Sequence, residues 1–235
     1  AAEITAGTVT LTLTSTANGT CLAETDDVII TITAPPVVSA GGDETVCGNN
    51  ADVSLSGSVS GGATAGQWTS TGTGTFTPSD TDLGATYTPS DADTTAGTVT
   101  LTLSSTDGCA VVTDDMVITI TDAPYVDAGA DQIVCESTPA TSLSGIVGGG
   151  STTGVWATSG DGSFTPSNTD LNATYNPGTT DMSTGTVTLT LTTTSNGTCN
   201  PESDDMLITI TTAPIVEAGP NQTVCAATPD VTLAG

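Results

Sequence analysis

The chain has 235 residues, 26 of them acidic, and no lysine, arginine or histidine, giving a formal net charge of −26. Without cations it has nothing to displace counterions from phosphates, so nucleic-acid binding is excluded. Histidine-activated nucleophiles, Schiff-base lysines, arginine phosphate clamps and histidine-containing zinc sites are excluded for the same reason.

Residues 1–34 hold the stretch GTVTLTL from Gly7, an Asn18-Gly19 turn, Cys21, Asp26-Asp27 and the run VIITIT. GTVTLTL returns at Gly97 and at Gly185, intervals of 90 and 88 residues. Apolar residues alternating with threonine predict a half-buried strand, with Val9, Leu11 and Leu13 facing a core and the threonines facing out. Asn-Gly between two alternating runs predicts a hairpin. Ala34-Pro35-Pro36 then breaks the chain, and the break recurs at Ala123-Pro124 and Ala213-Pro214. Proline stops a strand and stiffens a junction, so the boundaries fall there. Residues 1–34 read as the C-terminal part of a repeat, 35–123 and 124–213 as complete repeats, and 214–235 as the N-terminal strands of a further one.

Each complete repeat opens on an apolar run that ends in cysteine, VVSAGGDETVC at Cys47 and YVDAGADQIVC at Cys135. The third opening, IVEAGPNQTVC, ends at Cys225. Trp68, Phe76 and Tyr87 follow in the first repeat and return as Trp156, Phe164 and Tyr175. One tryptophan per sandwich reads as the core centre, and the tyrosine after it as a tyrosine corner, in preference to an exposed row for stacking on sugars. The GTVTLTL strand comes next, then Cys109 or Cys199 just past the turn, then Asp114-Asp115 or Asp204-Asp205 leading into the last strand. About seven short strands in about 89 residues, with turns between them and no helical periodicity, predict an all-β chain of tandem two-sheet β-sandwiches.

Six cysteines, two per repeat, favour disulfides and an oxidising, extracellular setting. The favoured pairing is within each repeat, Cys47 with Cys109 and Cys135 with Cys199, leaving Cys21 and Cys225 to pair outside the window. Loops of 62 and 64 residue steps would contribute roughly 4 kcal/mol each by chain entropy. Two alternatives stay open. One follows the constant interval of 26 residues, Cys21–Cys47, Cys109–Cys135 and Cys199–Cys225. The other joins Cys47 of one repeat to Cys199 of the next, which answers the objection that the two cysteines of one sandwich lie at opposite ends.

The acidic residues supply a candidate calcium set: Asp26, Asp27, Asp114, Asp115, Asp204 and Asp205 before the last strands, with Asp127 and Asp131 after a junction proline. Neighbours on a strand point to opposite faces, so a lone Asp-Asp pair does not chelate. A solvated, edge-protecting strand entrance is the competing reading. No other cofactor is implied. Asp80 and Asp82 return as Asn168 and Asp170, so a carboxylate pair for glycosidase chemistry is lost in the second copy, and no enzyme is expected. Four Asn-X-Thr sequons, at Asn18, Asn172, Asn196 and Asn221, and the Asp93-Thr94-Thr95 stretch are candidate glycan sites. No stretch is long and apolar enough to cross a membrane and no leader is visible, as in a processed or excerpted chain.

The junction APYVDAGADQIVC (123–135), the strand and turn GTVTLTLTTTSNGTC (185–199) and the closing DDMLITIT (204–211) resemble the PKD-like, immunoglobulin-like repeats of large Bacteroidetes cell-surface proteins, gliding-motility-associated adhesins among them. The resemblance implies tandem immunoglobulin-like (PKD-like) sandwiches, secretion to the cell surface, and a role as stalk, fibre or adhesin without catalytic residues. The expectation is a structural segment of an extracellular filament or adhesin stalk, continued head to tail or by self-association. The rival is a carbohydrate- or surface-binding adhesin module that uses the loops at the sandwich ends.

Overall fold

A computed structural model describes residues 7–233. It begins with the hairpin β1 (Thr8–Thr14) and β2 (Thr25–Thr31). The first complete repeat follows as β3 (Pro36–Ser39), β4 (Glu44–Cys47), β5 (Val53–Ser54), β6 (Ser58–Gly61), β7 (Gly66–Ser70), β8 (Thr75–Thr77), β9 (Thr86–Thr88), α1 (Asp91–Ala96), β10 (Thr98–Ser105) and β11 (Thr113–Thr121). The second is β12 (Tyr125–Asp127), β13 (Gln132–Cys135), β14 (Thr141–Ser142), β15 (Ile146–Gly148), β16 (Thr153–Thr158), β17 (Ser163–Thr165), β18 (Thr174–Asn176), α2 (Thr179–Thr184), β19 (Thr186–Thr194) and β20 (Ser203–Thr211). The chain divides into two compact units, one running up to Ala123 and taking in Thr198–Asn200, the other Pro124–Gly197 with Pro201 onward.

The fold is all-β, an immunoglobulin-like β-sandwich repeated in tandem. In the first unit one sheet runs β4-β11-β10-β7, and β5-β9-β8 and β3–β6 cover its other side. The second unit repeats this as β13-β20-β19-β16, β14-β18-β17 and β12–β15. The opening strand of each repeat is split between sheets. β3 pairs antiparallel with β6, the chain turns at Gly41 (φ 99°), and β4 then pairs parallel with β11. The parallel register sets Cys47 opposite Thr121, at the far end of β11 from Cys109. In the second unit Cys135 stands opposite Thr211 at the end of β20.

The period-two pattern of β10 buries Val99, Leu101 and Leu103 while its threonines stay partly or fully exposed. β19 does the same with Val187, Leu189 and Leu191. Trp68 and Trp156 are each 1% exposed, and Tyr87 and Tyr175 are fully buried. Phe76 packs tilted on Tyr87 with ring centroids 5.0 Å apart, as Phe164 does on Tyr175 at 5.1 Å. The aromatic block is therefore core, as its recurrence predicts. The first GTVTLTL behaves differently. β1 pairs with β2 but has no covering sheet among the described residues, and Leu11 and Leu13 are 51% and 78% exposed.

Two elements differ from the sequence expectation. A six-residue helix sits in each repeat where no helical periodicity is visible, because one and a half turns carry none. α1 is set by end signals instead. Ser90 caps it and forms a reciprocal capping box with Asp93, and Gly97 closes it in the left-handed region at φ 75°. Gly57 is fixed by packing: a Cβ there would sit 2.6 Å from Trp68 Cζ2 and 2.9 Å from Leu103 Cδ2. Gly57→Ala is expected to cost about 1–3 kcal/mol by overpacking. Trp68 fluorescence in a Trp156→Phe background would show this as a lower urea midpoint for the first unit alone.

Candidate functional site

The chemistry this chain carries lies at the cysteine-bearing end of the first unit. Cys47 closes β4, and the tight turn after it is held by the bridge Cys47–Asn50 and by Gly48 N donating to Thr121 O at 2.9 Å. Cys47 is bonded to Cys199, with their Cα atoms 5.0 Å apart, inside the range an unstrained disulfide spans. Side-chain amides fix the partner segment on both sides of the bond. Asn50 Nδ2 donates to Thr198 O at 3.0 Å, Asn49 Nδ2 to Asn200 O at 3.0 Å, and Asn200 N returns a bond to Asn49 Oδ1 at 3.2 Å. The Cys199 and Cys47 sulfurs lie 3.7 and 3.8 Å from the Asp122 carbonyl oxygen.

This bond corrects the favoured pairing: neither Cys47–Cys109 nor Cys135–Cys199 forms. The register gives the reason. Cys109 precedes the start of β11 and Cys47 faces its end. Nine strand residues at about 3.3 Å each separate them by nearly 30 Å, against the 4.4–6.8 Å that a disulfide allows between Cα atoms. Cys135 and Cys199 are kept apart in the same way by β20. Cys109, Cys135, Cys21 and Cys225 are free thiols.

Six of the eight candidate calcium ligands are occupied as hydrogen-bond acceptors. Asp114 Oδ2 accepts from Ala40 N and Asp204 Oδ2 from Ala128 N, each at 2.8 Å, which pins the crossover between the two halves of the opening strand. Asp127 Oδ1 accepts from Gly129 N, Asp131 Oδ1 from Leu207 N, and Asp26 Oδ1 from Asp27 N. Thr190 Oγ1 donates to Asp205, while Asp115 and Asp27 stand exposed opposite Thr102 and Thr12. Among the described residues no three His, Cys, Asp or Glu side chains gather as a metal cluster. Of the candidate glycan sites, Asn172 and Asn221 are exposed. Asn18 Nδ2 donates to Ser15 O and Asn196 Nδ2 to Thr193 O. Thr94 is half-buried and its hydroxyl donates to Ser90 O at 3.1 Å.

Sequence reasoning missed a buried carboxylate in each sandwich. Asp93, 3% exposed, accepts from Tyr87 Oη at 3.0 Å, Thr73 N and Gly74 N at 2.9 Å, and Ser90 N at 3.0 Å. Asp181 accepts from Tyr175 Oη at 2.6 Å and Gly178 N at 3.0 Å. Burial raises the Tyr175 hydroxyl, the bond to Asp181 raises it further, and it reaches about 12. A folded pKa above the unfolded value of about 10 means stability that is present below pH 10 and lost as pH rises through 12. In absorbance at 295 nm, Tyr175→Phe is expected to remove the most alkaline phenolate step. The remaining signal was the spacing Ser90-x-x-Asp93 before Gly97, a capping box and a C-cap.

A chain with 26 acidic residues and no basic side chains repels itself wherever its carboxylates are ionised. Adding sodium chloride from 10 to 300 mM is therefore expected to raise the melting temperature, since the Debye length falls from about 30 Å to under 10 Å. A flat or falling melting temperature in calorimetry would contradict this.

No protein-family model and no curated protein matches the chain. Among solved structures it is similar to Drosophila N-cadherin EC1-4, at 15% identity and TM-score 0.42 over 81% of this chain and 52% of that one. It is also similar to Sidekick-1 immunoglobulin domains 1-5, at 12% and 0.39 over 88% and 46%. A third is titin domains I67-I69, at 16% and 0.43 over 76% and 66%. The chain thus spans about half to two thirds of the length of these structures, and the likeness is one of architecture alone. No described helix is long and apolar enough to cross a membrane.

Proposed function

We propose that the chain is a load-bearing, non-catalytic structural segment of a bacterial extracellular filament or adhesin stalk. The observation that carries this reading is the Cys47–Cys199 disulfide, which ties together positions 152 residues apart in consecutive repeats. A bond of that span adds no chemistry and makes the chain hard to extend. It also fits an oxidising compartment outside the cytosol, where such bonds form and persist. Small sandwiches with aromatic cores, linked through prolines and carrying charge of one sign, suit a soluble rod that does not bundle with its neighbours. The acidic surface carries no basic residue at which trypsin-like proteases cut. Immunogold electron microscopy of cells that produce the protein tests the reading. Label strung along thin surface fibres is the expected result. Label confined to the cytoplasm or to free globular particles would overturn it.

A further inference from the structure

Each repeat carries two kinds of cysteine, and the structure shows how the kinds combine. Cys47 and Cys135 end the opening strands β4 and β13, in the same parallel register against β11 and β20. Each bridges the residue three further on, Asn50 or Thr138, through a backbone bond of 3.0 or 2.9 Å. Cys199 and Cys109 follow the strands β19 and β10 and lie in exposed turns. Cys199 Sγ lies 3.7 Å from Asp122 O, and Cys109 Sγ 3.8 Å from Ala34 O. Asp122 and Ala34 are themselves 88 residues apart, the interval that separates Cys135 from Cys47. The bonded pair joins an opening-strand cysteine to the turn cysteine of the next repeat. Cys135 and Cys109 are the same two halves, both unpaired.

From this equivalence we propose that Cys135 and Cys109 are cross-linking sites. Each forms the Cys47–Cys199 type of bond with the complementary cysteine of another repeat of this kind. Cys135 takes a turn cysteine and Cys109 an opening-strand cysteine. The inference rests on the filament reading and extends it to the connection between repeats. Two thiols and one donor disulfide, of the glutathione or disulfide-oxidoreductase class, exchange in two steps. Two protein S–H bonds and the donor S–S bond break, and one protein S–S bond and two donor S–H bonds form. The two electrons and two protons pass to the donor. The Ser137 hydroxyl, 3.2 Å from Cys135 Sγ, holds that thiol below its ordinary pKa and so favours the attacking thiolate.

The geometry of the array follows from residue order alone. Cys109 and Cys135 both lie between Cys47 and Cys199, so the added bonds interlock with the existing one. Every internal residue then lies inside at least one closed loop. The backbone between successive bonds shrinks to the 26 residues from a turn cysteine to the next opening-strand cysteine, as from Cys109 to Cys135.

Native material alkylated without reduction, digested with pepsin and mapped by mass spectrometry tests this. The expected result is that Cys135 and Cys109 resist alkylation, Cys135 being bonded to a turn-cysteine peptide and Cys109 to an opening-strand-cysteine peptide. Mixing 15N-labelled with unlabelled chain in a glutathione redox buffer separates the sources. Mixed-isotope Cys109–Cys135 peptides mean that a second copy supplies the partner, and their absence assigns the native bonds to one polypeptide. Cys135→Ser is expected to free the partner thiol while leaving Cys47–Cys199 formed. Full alkylation of both thiols in native material would overturn the proposal. So would glutathione adducts alone, or a Cys109–Cys135 bond within one chain. Fibres seen by microscopy with both thiols free would defeat this inference and leave the filament reading standing.

Discussion

Stretched from its two ends, the oxidised chain is expected to release about 500 Å less contour length than the reduced chain. The disulfide passes tension directly from Cys47 to Cys199 and removes 152 backbone steps from the loaded path. At about 3.3–3.6 Å per residue those steps hold roughly 500 Å of extension. The first unit's core lies within the shielded stretch from Val53 to Ile120, with only Ala40 of its buried residues outside it. So does that of the second unit, except for Met206, Ile208 and Ile210 on β20. Force enters through β4 and leaves through β20, and each pairs in parallel with a partner strand. Once the disulfide is reduced, a pull along β4 loads its ladder from Glu44–Ile118 to Cys47–Thr121 in shear rather than peeling the pairs one at a time. Single-molecule force extension with and without dithiothreitol measures the difference. Cys47→Ser and Cys199→Ser, pulled without reductant, should each reproduce the reduced curve. Equal contour lengths in the two redox states would mean that the bond does not carry the load.

The strands that define the sandwich were legible because their signal is local. Val99, Leu101 and Leu103 alternate with threonine, and that alternation is the burial pattern of β10. The same letters at β1 show its limit, for burial needs an opposing sheet and Leu13 has none among the described residues. The Cys47–Cys199 bond was legible only as one of three open pairings, and not as the favoured one, because the choice depends on which end of β11 the opening strand reaches. That is set by a sheet exchange at Gly41 and a parallel pairing that no local pattern announces. The aspartates divide the same way. Alternation separates Asp114, half-buried, from its exposed neighbour Asp115. That Asp114 should accept from Ala40 N, 74 residues away, is a property of the folded register only. Asp93 was read as part of a candidate glycan stretch, while its work is interior. Its donors come from the Thr73-Gly74 turn, Tyr87 and Ser90, which the fold alone brings together.

Replacing that buried carboxylate should be among the most damaging single changes to the first unit. Asp93→Asn is expected to lower its stability by about 3–5 kcal/mol. Four donors converge on two oxygens of a side chain that is 3% exposed. Asparagine with its oxygen at the Oδ2 position keeps an acceptor for Tyr87, Gly74 and Ser90, but turns its amide nitrogen toward Thr73 N, so that two donors face each other with no acceptor between them. Each buried donor left unmatched costs roughly 1–3 kcal/mol. Gly72 packs so closely that a Cβ on it would overlap the Asp93 carboxylate, which leaves little space beside the carboxylate on that side. The pH dependence gives a second readout. Burial pushes the Asp93 carboxyl up, but the Ser90 and Thr73 amides and the Tyr87 hydroxyl outweigh burial and hold it below its ordinary value. A folded pKa below the unfolded value of about 3.9 contributes stability that is present above pH 4 and lost as pH falls through the folded pKa. Asp93→Asn should therefore flatten the acid limb of the first unit's stability profile as well as lower its plateau. Asp181 keeps the second unit as an internal control, with Trp156 fluorescence unchanged in midpoint. Urea titrations from pH 2 to 7 that gave the variant an unaltered Trp68 midpoint would show that the carboxylate is not what holds α1 and the β7–β8 turn onto the sandwich.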